Sequence, residues 1–248
     1  MKGVGELVYV EGIIGAGKST YCKEVGQRLN YRVIEEPVGD NPYLKLFYDD
    51  PRCYAYEMQV YLLHRRIGLQ QLAAAEALYS PNFDGAMIDR SLFGDRVFEN
   101  LHYEDGNISE LQHHAYDVAT RSMQLMVYPP TTLVYLDVEP EVALERIKRR
   151  SRSCESSVGI DYLRRLADGY HKLLEAAKTG RFPWSHAVQV LVVQYNVEIE
   201  KVETWDAVAS GLRRFQETQR EELPSEWRDR AFRQVAVPGG VVNIVAKG

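Results

Sequence analysis

The run Glu11-Gly12-Ile13-Ile14-Gly15-Ala16-Gly17-Lys18-Ser19-Thr20 fits the pattern G-x-x-x-x-G-K-[ST]. Residues of these types at this spacing do anion chemistry. Gly12, Gly15 and Gly17 let the backbone curl, so that N–H groups along the run, through Ala16 and Thr20, point inward at phosphate oxygens. A helix starting here adds its positive end to the same anion. Lys18 reaches the outer phosphates, and the Ser19 hydroxyl supplies an oxygen to Mg²⁺. A glycine turn without a ligand is the competing reading. The apolar run Leu7–Val10 before the glycines and the helical pattern Thr20–Leu29 after them favour the phosphate site.

Other candidates are acids and cations that follow apolar runs. Glu36 stands in Glu35-Glu36-Pro37-Val38. Pro37 forces Glu36 to be extended, so its carboxylate can face the loop and take a proton from a hydroxyl; a solvated loop glutamate fits the same residues. Asp89-Arg90-Ser91 follows Ala86–Ile88. Asp89 suits Mg²⁺, directly or through water, and Arg90 suits the charge of a transferring phosphoryl group; a helix cap is the alternative for Asp89. Asp95 lies one turn into the next helical pattern, over the same cleft. Gln59 and Arg66 are seven apart and lie one above the other on a helix. They border a stripe of Ala55, Met58, Leu62, Leu69 and Ala73, where they either read the polar edge of a flat ring or simply bound an amphipathic helix. Arg146 and Arg150, with Arg152 just beyond, suit a mobile lid near 146–159 that clamps phosphates, or else a solvated helix end.

Positioning these residues takes five short buried strands: Leu7–Val10, Arg32–Ile34, Ala86–Ile88, Thr132–Leu136 and Val188–Val193. Helical patterns fill the gaps, near Arg52–Leu78, Leu92–Leu101, Ser109–Met126, Pro140–Arg150, Ile160–Ala177 and Glu203–Gln219. Alternation of this kind predicts an α/β parallel sheet with helices on both faces. Ligands in such sheets sit at the carboxyl ends of the strands, where Gly12, Glu36, Asp89 and Asp137 fall. One domain over 1–220 is expected. The segment 221–248 reads as a tail or a small hairpin turning at Pro238-Gly239-Gly240.

Composition bounds the class. With 248 residues, 45% of them hydrophobic, the chain can bury a sizeable core. A net charge of −5 argues against general nucleic-acid binding. The three cysteines show no metal or disulfide spacing, which suggests a reducing compartment. No run approaches the roughly 20 apolar residues of a membrane span, so a cytoplasmic protein with no membrane partner is expected.

Taken in order, these motifs resemble the deoxyribonucleoside kinase family over Leu7 to Gln219, nearest its purine-acting and deoxycytidine-acting branches. The family's Ile-Gly-x-Gly-Lys stands at Ile14 to Lys18, its Glu-Pro-Val at Glu36 to Val38, and its Glu/Asp-Arg-Ser at Asp89 to Ser91. The resemblance implies a three-layer P-loop kinase fold with a five-stranded parallel sheet, usually as a homodimer. It implies transfer of the γ-phosphoryl group of ATP or another nucleoside triphosphate, with Mg²⁺, to the 5′-hydroxyl of a deoxyribonucleoside. By the same likeness Glu36 is the base, and Tyr48 and Glu155 hold the sugar 3′-hydroxyl. Gln59, Arg66 and Asp95 read the base, and Arg146, Arg150 and Arg152 belong to the lid. Met58 stands where family members often carry an aromatic ring, so base stacking is weaker or comes from elsewhere. A thymidylate kinase-like nucleoside monophosphate kinase is the nearest rival, and Glu36 tells against it because a phosphate nucleophile needs no base. A non-catalytic nucleotide-binding scaffold is the other.

Overall fold

A computed structural model of the chain describes residues 5–36, 41–150, 158–178, 189–196, 202–222 and 241–245. The expected Arg152 and Glu155, and the centre of the expected lid, lie outside the described residues.

Strand β1 (Glu6–Glu11) is buried along its whole length, as a strand covered on both faces must be. It is followed by α1 (Lys18–Leu29), β2 (Tyr31–Ile34), α2 (Tyr43–Asp49), α3 (Pro51–Tyr79), β3 (Gly85–Asp89), α4 (Leu92–Glu104) and α5 (Glu110–Gln124). Then come β4 (Thr132–Asp137), α6 (Pro140–Arg150), α7 (Ile160–Lys178), β5 (Gln189–Gln194), α8 (Val202–Glu222) and β6 (Val241–Val245). The sheet order is β2-β3-β1-β4-β5-β6, with every pair parallel. Helices α1 and α8 pack together, while α3 packs on α4 and α4 on α7, which makes three layers.

All five expected strands are present, each within about two residues of its expected bounds. Helix α2 was not expected, and the strand at Val241-Val242 was expected only as an arm of a small hairpin. Helix α2 occupies the aromatic-rich stretch after Glu36 and buries no residue fully, so it has no apolar periodicity to read. Strand β6 extends the sheet to six strands by pairing in parallel with β5 from Val190↔Val241 to Gln194↔Val245. A hairpin would pair antiparallel; the rest of that expected hairpin, 235–240, lies outside the described residues.

Local signals account for the boundaries that matter to the site. Helix α3 starts because the Asp50 side chain accepts from the Cys53 N–H and Pro51 sits at its first position. Helix α4 starts because Ser91 caps it by accepting from the Phe93 N–H. The central strand β1 lies between β3 and β4, where strand order reverses, so its carboxyl end opens on a crevice.

Candidate active site

Strand β1 delivers the chain into the glycine loop. Gly15 and Gly17 have φ of +81° and +89°, which side-chain-bearing residues rarely adopt. A methyl group at Gly15 would also collide with the Ala143 carbonyl of α6, so α6 packs directly on the loop. The Lys18 ammonium folds back to donate to the Gly12 and Ile13 carbonyls at 3.1 and 3.0 Å. Burial lowers its pKa and Arg90 lowers it further; Asp89 and Glu36 oppose this, leaving it at about 8. The Ser19 hydroxyl donates to Asp89 Oδ2 at 2.5 Å, while the buried Asp89 Oδ1 has no hydrogen-bond partner. A hydroxyl and an unsatisfied carboxylate oxygen side by side form a hard-oxygen donor set that fits Mg²⁺, an ion that keeps several waters and binds through few protein groups.

A network of acids and guanidiniums continues from this pair. Arg66, from the middle of α3, is 1% exposed. It donates to both Asp95 oxygens, at 3.0 and 2.8 Å, and to Glu36 Oε1 at 2.8 Å. Arg90 Nε donates to Glu36 Oε2 at 3.3 Å. Burial alone would raise the Glu36 pKa; Arg66 and Arg90 outweigh it and bring the carboxyl from 4.5 down to about 2. The Arg90 guanidinium also stacks 4.6 Å from the centre of the Phe98 ring.

These groups line one cavity of 170 Å³ at the carboxyl end of the sheet. Lys18, Ser19, Asp89 and Gly15 of the loop line it. Glu36, Arg66, Arg90, Asp95, Gln59, Tyr48 and Arg150 line the same space. Gln59 is 1% exposed and its Oε1 has no hydrogen-bond partner, a deficit that a ligand donor would satisfy. Gly12, Ala16, Gly17 and Thr20 belong to the loop and the first turn of α1.

Arg146 is placed differently from its expected role over the phosphates. Its guanidinium is buried behind the loop, donating to the carbonyls of Ala16 at 3.0 Å and Tyr195 at 2.9 Å, and it lies 5.0 Å from the centre of the Tyr195 ring. The seventh residue of an 11-residue helix that packs on the loop, it points into that packing, whereas Arg150 at the helix end reaches the cavity.

Sequence reasoning missed several residues. Phe98 lines the cavity beside Met58 and is a ring from elsewhere on the wall. Tyr162 and the buried His102 also line it. Glu11, at the end of β1, is 1% exposed and accepts from Ser91 N–H (2.7 Å), Ser91 Oγ (2.5 Å), Gly94 N–H (3.1 Å) and the Tyr170 hydroxyl (2.9 Å). Burial raises its pKa, against the pull of Arg90 and these donors.

An anion cradle that shares one cavity with a partly buried carboxylate, apolar and aromatic side chains and an unsatisfied amide oxygen is the arrangement of a P-loop kinase acting on a small acceptor. A family model described as deoxynucleoside kinase matches residues 8–215, and the chain belongs to that family. It is 36% identical over 171 residues to a deoxyadenosine kinase of Dictyostelium discoideum, covering 69% of this chain and 67% of the relative. It is 35% identical over 192 residues to a deoxyguanosine kinase of the same organism, covering 77% of this chain and 64% of the relative. Its fold matches a deoxyadenosine kinase from M. mycoides with bound dCTP at a TM-score of 0.68 and 26% identity, covering 84% of this chain and 98% of that one.

Proposed function

We propose that the protein transfers the γ-phosphoryl group of ATP or another nucleoside triphosphate to the 5′-hydroxyl of a deoxyribonucleoside, a purine deoxynucleoside or deoxycytidine. One observation carries this reading: the Glu36 carboxylate and the Lys18-bearing loop line a single cavity. The relatives named as deoxyadenosine and deoxyguanosine kinases support the same substrate class.

In this reading the loop N–H groups and Lys18 hold the donor phosphates. Ser19 and Asp89 would hold Mg²⁺, which when bound offsets phosphate charge. Glu36 is ionised at any working pH; it orients the 5′-hydroxyl and accepts its proton as the O–P bond forms. Arg90 faces the charge that spreads over the transferring group. Arg66 offers donors and Asp95 an acceptor to the edge of the base, with Gln59 beside them and the Phe98 ring on the wall. Tyr48 and Glu155 take the 3′-hydroxyl, and Arg150 and Arg152 close over the phosphates. Arg146 braces the loop from behind. We further propose one kinase domain over 1–220, a homodimer and a cytoplasmic location; among the described residues no helix is long and apolar enough to cross a membrane.

The test is a screen of the four natural deoxynucleosides, and of their monophosphates, with ATP and GTP as donors. Product from a nucleoside and none from its monophosphate is expected. Product from monophosphates alone would replace this reading with a monophosphate kinase.

A further inference from the structure

The Arg90 backbone has φ of +71°, a left-handed conformation that is costly for a residue with a side chain. Such a residue persists only where its surroundings hold it. The Arg90 N–H donates to the Val10 carbonyl at 2.9 Å. At the other end of the side chain, Nη1 meets the Tyr170 hydroxyl at 3.0 Å. That hydroxyl in turn meets Glu11 Oε2 at 2.9 Å. Arg90 follows β3, Tyr170 lies on α7 and Glu11 ends β1, so the chain of contacts ties together three elements far apart in sequence.

Donor chemistry fixes the direction of this chain. A guanidinium has no acceptor, so the phenol oxygen accepts from Arg90. The single phenol proton is then left for Glu11 Oε2. Glu11 Oε1 already receives Ser91 N–H, Ser91 Oγ and Gly94 N–H, so it is committed as an acceptor. The same carboxylate therefore caps the first turn of α4, from which Asp95 and Phe98 project, and orients the phenol beneath Arg90. Space for the arrangement comes from Gly94. A methyl group there would lie 2.6 Å from the Tyr170 hydroxyl and collide with Glu11 Oε2.

We propose that Glu11 and Tyr170 are positioning residues that hold the Arg90 guanidinium at the angle phosphoryl transfer requires. The inference rests on the phosphotransferase reading above. Neither residue lines the cavity, so neither touches substrate; both act through Arg90. A guanidinium fixed before reaction stabilises developing charge without reorganising, which is where such groups gain their effect.

The experiment compares Tyr170→Phe, Glu11→Gln and the double variant with the wild-type protein. Tyr170→Phe removes one oxygen and keeps the ring. Glu11→Gln can keep the α4 cap through its carbonyl oxygen but turns an amide donor toward the phenol, which leaves the phenol proton without its acceptor and breaks the chain. Each single change is expected to lower kcat about tenfold, the size of one hydrogen bond to a charged group, with KM for nucleoside and donor within about twofold. The double variant loses no more than the worse single one, because both break the same chain. A second readout does not use activity: ¹⁵N signals of the Arg90 guanidinium, assigned with Arg90→Lys, report its rotation. Slow rotation in the wild type and fast rotation in Tyr170→Phe are expected. Unchanged kcat, unchanged rotation, additive losses or loss of the folded state in Tyr170→Phe would each overturn the proposal. Absence of any turnover in the wild type would sink the kinase reading instead, while the rotation still decides whether Tyr170 holds Arg90.

Discussion

Glu36 is where opposing forces on one residue are easiest to rank. Burial favours its neutral form, yet two guanidiniums win and its pKa falls to about 2. Glu36→Gln is therefore expected to lower kcat by about 10² to 10⁴ while leaving donor binding nearly intact, as read by steady-state kinetics and calorimetry. The linkage has a definite sign. The folded pKa lies below the unfolded one, so the stability from ionised Glu36 is complete above about pH 5 and lost as pH falls toward about 2. The gap in unfolding free energy between the wild type and Glu36→Gln should close over that window. Lys18 behaves in the opposite sense. With its pKa lowered to about 8 in the free loop, it loses its charge as pH rises, so KM for the donor should climb above about pH 8 with a one-proton slope. Asp95→Ala removes two hydrogen bonds to the buried Arg66 guanidinium and leaves it the ion pair with Glu36, at about 1.5–3 kcal/mol for a hydrogen bond to a charged group. It should lower the midpoint of denaturant unfolding and shift the base preference; an unchanged substrate profile would remove Asp95 from base recognition.

At the level of elements, α6 braces the glycine loop, through Gly15 beneath Ala143 and Arg146 on the Ala16 carbonyl. Gly15→Ala should weaken donor binding at least tenfold, since φ and space both forbid the methyl, and calorimetric titration with a non-hydrolysable triphosphate reads this directly. Two acidic strand exits, Glu36 and Asp89, were legible because a short apolar run leads to a residue that chemistry picks out, as at the glycine loop; Asp137, at the fourth, does not line the cavity and accepts from Gln194 instead. Gln59 and Arg66 were ambiguous by period alone, because a helix border and a cavity wall carry the same pattern. Only the resemblance tipped them. Arg146 was misleading for a related reason. Arg146 and Arg150 share a helix face, but which end of that face meets the loop and which meets the cavity depends on packing. Glu11 and Tyr170 could not be read at all. They are 159 residues apart, and Glu11 looks like the first letter of a loop motif. Helix α2 escaped because it buries nothing fully; Val241-Val242 was legible as an arm of a small hairpin, but its parallel pairing with the distant β5 leaves no local signal.

For the molecule as a whole, the sixth strand puts the last described residues on the sheet beside β5. Deleting residues 223–248 should uncover the β5 edge and lower the thermal midpoint, with more aggregation on heating, while kcat at saturating substrate stays within about twofold because β6 is remote from the β1 exit. Strand order carries another outcome, for synthesis. Strand β1 pairs with β3 and β4, which end at Asp89 and Asp137, and not with β2, the next strand in sequence. Tyr162 and Tyr170 come later still. A nascent chain leaving the ribosome thus carries its anion-binding loop long before the walls that make it a nucleotide site exist. Contacts so distant in sequence form slowly and leave apolar strands uncovered meanwhile. Ribosome-stalled chains that stop before Thr132 should capture no triphosphate, and competence should arrive abruptly once α7 has emerged.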